Sequence, residues 1–176
     1  MHTPAVAAHL HAIMLRDLRA LRREVEAYSD DAAVWAIAPG IANSCGTLVL
    51  HVAGNLRTYV GHAIGGIAYV RDREREFSAR GLSRDELLRE IDATIDAVDH
   101  ALPLLTADVL TSDFPVAIGT AHVNAQEFLM HVATHLAYHL GQVDYHRRIT
   151  TGSTVTVGTL SPGELSSAHP AAGGSR

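Results

Sequence analysis

Leu10, Met14, Leu18, Leu21 and Val25 recur at spacings of four, four, three and four, with Arg and Glu filling the positions between them. That period matches the 3.6 residues of a helical turn. It predicts a helix over residues 4–28 with one apolar face that other helices must cover. The pattern returns three times. Leu48, Val52, Leu56, Tyr59 and Val60 predict a helix over 44–64, capped by Asn43 or Ser44 and ended by Gly65 and Gly66. Ser83 and Glu86 form a capping-box pattern ahead of Leu87, Leu88, Ile91, Ile95, Val98 and Leu102, until Pro103 disturbs the period. Asn124 and Glu127 cap a last periodic stretch reaching about Ile149. Apolar residues make up 47 % of the chain and aromatics only 5 %, a mix suited to helices packed on helices. The fold class expected is all-α, a four-helix bundle.

Between the helices, SDDAAVWAIAPGIANS has no helical period and reads as a connecting loop broken at Pro39 and Gly40. The RDREREF run from Arg71 to Phe77 reads as a solvated charged connection, and TSDFPVAIGTAHV as an extended loop. With 176 residues the chain has the length of one domain, placed at 1–162. Residues 163–176, within a stretch rich in Gly, Ser, Thr and Pro, are expected to be an irregular tail whose last ten or so residues are mobile.

The net charge of -5 gives no electrostatic footprint for nucleic acid or an anionic membrane surface. All fourteen basic residues are Arg, which removes Schiff-base chemistry, a phosphate-loop lysine and any lysine general base. Cys45 is the only cysteine, so neither an internal disulfide nor a thiolate zinc cluster can form. Cys45 itself reads as a small buried apolar residue. A reducing cytoplasm is the expected compartment, and no apolar run is long enough to span a bilayer.

The chemistry is concentrated in HVATHLAYHLGQVDYHRR, residues 131–148, which carries four histidines. At about 100° per residue, His135 and His139 fall near ~40° and ~80° from His131, all on one helical face. The buried stripe Val132, Leu136, Leu140 and Val143 lies beyond them, so His135 and His139 stand closer to the interior than His131. In the second helix His51 belongs to the inward stripe, whereas His62 is about 16 Å further along. Two histidines a turn apart and a third from a facing helix give a three-nitrogen metal site with open positions. The expected ligands are therefore His51, His135 and His139. Asn55 and Gln142 stand where they could orient those ligands. Tyr59, Tyr138 and Tyr145 read as packing residues with wet hydroxyls, and His2, His9, His11, His100, His122 and His169 as solvated.

NSCGTLVLHVAGNLR, with His51, and HLAYHLGQVDYHRR, with His135, His139 and the Gly141-Gln142 pair, together resemble the DinB/YfiT-like superfamily of bacterial four-helix metalloproteins. The resemblance spans the second to fourth helices, while the first fits in character only. It implies an up-down-down-up bundle, often a homodimer, with a divalent ion such as zinc or nickel on His51, His135 and His139. It further implies a metal-dependent S-transferase that activates a low-molecular-weight thiol, such as bacillithiol or mycothiol, for attack on an electrophile. The competing expectation is a noncatalytic metal-binding or stress-response bundle.

Overall fold

The computed structural model describes residues 3–158 and 161–170. Helices dominate, and the only β pairing among these residues is two isolated bridges, Asp113 with Asn124 and Ile118 with Ala121. Four helices are long: α1 (Ala5–Glu26), α3 (Cys45–Leu56), α5 (Arg84–Ala101) and α7 (Ala125–Thr151). Three short ones stand between them: α2 (Asp31–Trp35), α4 (Arg73–Ser78) and α6 (Ala107–Thr111). The anticipated capping chemistry operates. The Ser44 hydroxyl accepts from the Thr47 N–H, Ser83 and Glu86 form a reciprocal capping box, and the Asn124 amide oxygen accepts from the Glu127 N–H. At the far end of α7, Gly152 takes the left-handed conformation, φ 71°, that stops the helix.

Two stretches expected to lack structure contain helices. Asp30 accepts from the Ala33 N–H and starts α2 within the supposed connecting loop. Asp72 accepts from the Arg75 N–H and starts α4 within the charged run. Each is too short for its apolar period to show in the sequence, so a capping residue was the only local signal. The helix predicted over 44–64 also changes character, because α3 continues into a π-helical turn, Arg57–His62, with wider hydrogen bonding.

Side-chain pairs show how the long helices run. His11 meets Asp99 and Arg22 meets Asp92, so α1 and α5 are antiparallel. Arg57 meets Glu90 and Gly61 lies against Ala97, so α3 with its π-turn runs parallel to α5. His51 meets His135 and Tyr59 meets Phe128, which makes α3 and α7 antiparallel. The C-terminal ends of α1 and α7 lie together through Glu24 with Arg147 and Tyr28 with His146. Between them the stripes read from the sequence bury one apolar cluster, including Leu18, Leu21, Val52, Leu56, Leu129 and Leu136. Each such side chain contributes about 1.5–3 kcal/mol by leaving water.

A polar junction closes one end of this core. Tyr28 donates its hydroxyl to His146 Nδ1 at 2.6 Å, while His146 Nε2–H donates to the Ala36 carbonyl at 2.8 Å. Arg147 and Glu24 pair in the interior, and Arg147 also donates to the Val155 carbonyl. Arg23 donates to the carbonyls of Val157 and Gly158, so the chain beyond α7 is tied down through 158. A short 3₁₀ turn follows at Pro162–Glu164. The mobility expected for the last residues concerns mainly 171–176, which lie outside the described residues. Among the described residues no helix is long and apolar enough to cross a membrane.

Candidate metal centre

His51 sits in the second turn of α3, whose start is fixed by the Ser44 cap. On α7 the buried row Phe128, Leu129, Val132, Leu136 and Leu140 seats the helix and leaves His135 and His139 at the edge of that face, half-buried. Because α3 and α7 run antiparallel, these side chains meet. His51 Nε2 lies 3.3 Å from His135 Nε2, and His139 Nε2 lies 3.0 Å from His135 Nε2. The three ligand-capable atoms all fall within 4.8 Å of one another. Two nitrogens bound tetrahedrally to one zinc ion, each at about 2.0–2.1 Å, stand about 3.4 Å apart. The donor set and its spacing therefore fit a divalent ion.

The outer nitrogens are held as well. His51 Nδ1–H donates to Glu76 Oε2 at 3.0 Å, and His139 Nδ1–H donates to Gln142 Oε1 at 2.7 Å. Both bonds aim Nε2 inward, in the way that metal-binding histidines are usually oriented by a carboxylate or carbonyl behind them. Glu76 is buried, and Arg71 grips it with Nε on Oε1 at 2.6 Å and Nη2 on Oε2 at 2.9 Å. Burial alone would raise the Glu76 carboxyl, but the hydrogen bonds from Arg71 and His51 outweigh it and hold it below its ordinary range. Burial pushes His51 down against the opposing pull of Glu76. Burial, with His139 and His51 nearby, brings His135 down to about 4. Those two rings are thus neutral at physiological pH, the state a metal ligand requires.

Aromatic rings frame the centre. Phe77 lies 5.1 Å from His51 and Tyr138 5.2 Å from His139, centroid to centroid. A cleft of about 290 Å³ adjoins it, lined by Asn43, Leu48, Gln142, Tyr145 and His146 among others. Gln142 thus belongs to both the cleft wall and the support of His139.

The residues singled out from the sequence sort clearly. His51, His135 and His139 come together, and Gln142 supports one of them. His131 is exposed and stacks between Phe128 and His135, with ring centroids 5.9 Å and 6.1 Å away. Asn55 makes no bond to His51, and its Oδ1 is buried with no partner. Cys45 is fully buried and its thiol is pushed up to about 12 by burial, so it is no nucleophile. His62 turns away to the Ile67 carbonyl.

Sequence reasoning missed Arg71 and Glu76, because a run of six charges in seven residues has the composition of a solvated connection. One faint signal was present in Gly54, an unfavourable residue in the interior of α3 one turn past His51. His146 was also missed as a structural residue, since nothing local distinguishes it from the other histidines of α7.

Comparison with curated proteins and with solved structures returned no match. The families give a match to the DinB superfamily over residues 14–143, a span that contains the three histidines together with Glu76 and Gln142. On that match, the chain belongs to the DinB superfamily.

Proposed function

We propose that this protein binds a divalent metal ion, zinc or nickel, through His51, His135 and His139, and uses it in S-transfer from a low-molecular-weight thiol. The observation that carries the metal reading is the convergence of three Nε2 atoms from two helices, two of them backed by Glu76 and Gln142. When bound, such an ion lowers the pKa of a coordinated thiol and so supplies a thiolate at neutral pH. The chain's own residues keep His51 and His135 neutral by burial and aim His51 and His139 through Glu76 and Gln142, and the rings of Phe77 and Tyr138 stand beside them. The adjoining cleft, with the carboxamides of Asn43 and Gln142 and the Tyr145 ring, offers a place for the rest of a small molecule. In the reaction a C–S bond forms while the bond to the leaving group breaks, and the thiol proton passes to solvent.

The helix pairings support the up-down-down-up bundle as the frame of this site. An exposed row on α7, Tyr138, Tyr145 and Ile149, supports a homodimer. The single cysteine supports a cytoplasmic setting.

Purified protein should retain about one equivalent of zinc or nickel after mild dialysis. Metal analysis finding none, in protein as isolated and after reloading, would sink the reading. Metal-loaded protein incubated with a thiol panel and a chlorinated aromatic should release chloride in a thiol-dependent way, and His51→Ala and His135→Ala should abolish it. Stoichiometric metal without turnover on any thiol would instead favour a noncatalytic metal-binding protein.

A further inference from the structure

We propose that Glu76, gripped by Arg71 and admitted by Gly54, is the positioning residue that fixes the tautomer of His51 and thereby makes its Nε2 a ligand. The inference rests on the metal-binding reading for its purpose, but not for its geometry.

Both Glu76 oxygens accept from Arg71, so the carboxyl is an ionised, acceptor-only group. The 3.0 Å contact between Glu76 Oε2 and His51 Nδ1 then requires the proton to be on Nδ1. In the neutral ring this leaves the lone pair on Nε2, the atom that faces His135. Without the carboxylate an imidazole shares its proton between both nitrogens. Some of the population would then present N–H to the centre and bind no cation.

Gly54 explains how a carboxylate on a separate short helix reaches this position. A Cβ at residue 54 would stand 2.8 Å from the Glu76 carboxyl carbon and overlap Oε1, so only glycine lets the side chain lie against α3. Glycine in a helix interior is less favourable than alanine. The cost is offset here by the close approach of Glu76. Asp72 completes the arrangement by capping α4, which sets the rotation that turns Glu76 inward while its neighbours Arg75 and Phe77 stay exposed.

The test uses the full chain with histidine labelled by ¹⁵N, because ring nitrogen shifts distinguish the two tautomers directly. In metal-free wild type His51 should show Nδ1–H. Glu76→Ala should move it to a mixture or to Nε2–H, and should weaken zinc and nickel binding, measured against a chromophoric chelator, about 10–100-fold. Gly54→Ala should act in the same direction with an unchanged circular dichroism spectrum. Glu76→Gln, whose carboxamide oxygen can still accept, should keep the Nδ1–H tautomer and lose less affinity than Glu76→Ala. The proposal is overturned if metal-free wild type carries the proton on Nε2, or if Glu76→Ala leaves both tautomer and affinity unchanged. Should Glu76→Ala or Gly54→Ala fail to fold, the wild-type spectrum and Glu76→Gln still decide. A wild type that binds neither ion overturns the metal reading, while the tautomer comparison separately decides whether Glu76 controls His51.

Discussion

His131, His135 and His139 are chemically identical residues at successive turns of α7, and their environments separate them. His135 and His139 converge, half-buried, with the buried His51, whereas His131 lies outside the cluster against the His135 ring. Substitution should follow that division. His135→Ala should weaken zinc binding by at least about 100-fold, more than losing a supporting partner costs, while His131→Ala should leave it within about threefold. Equilibrium dialysis against a calibrated chelator reads both. Gln142→Ala removes only the acceptor behind His139 and should cost about tenfold in affinity. Equal losses in all three variants would mean that the helix face, and not the convergence with His51, creates affinity. At this scale the convergence of His51, His135 and His139 was legible, because spacing on one helix and an inward histidine on another are properties of sequence. Glu76 was not, since its role comes from a contact across 25 positions of chain.

Short helices carry much of what the long ones need. Trp35, at the end of α2, packs against α3 at Gly46 and donates its indole N–H to the Leu82 carbonyl at 2.8 Å. A Cβ at residue 46 would come within 2.7 Å of three atoms of the Trp35 ring. Gly46→Ala should therefore destabilise the protein by about 1–3 kcal/mol through overpacking, visible as a lower midpoint in urea. At the C-terminal end of α7, His146 is neutral and spans Tyr28 and the Ala36 carbonyl, and burial holds it below its ordinary 6.5 against the pull of that carbonyl. Its unfolded form takes up a proton near 6.5 and its folded form does not. The stability tied to His146 is thus present above that pH and is lost as pH falls from about 6.5 towards the lowered folded value. Urea titrations with chelator present should show a shallower loss of stability between about pH 7 and 5 in His146→Gln than in wild type. An identical slope would place the proton uptake elsewhere.

For the molecule as a whole, a metal bound by His51 of α3 and His135 and His139 of α7 would link the proposed site to global stability. An ion held at about 100 times its Kd should add about 2.7 kcal/mol, which for a chain of this size raises Tm by about 5–10 °C. Differential scanning calorimetry with and without chelator measures it, and the shift should vanish in His51→Ala. The sequence by itself determined the four amphipathic helices, their caps and the three histidines, because helical period and capping act within a few residues and repeat along the chain. Only the tertiary structure decided that a charged run folds into α4 and delivers Glu76 to His51, that Gly54 makes room for it, and that His146 is a buried strut. Those outcomes depend on which surfaces meet, and a contact between distant segments leaves no period in either one.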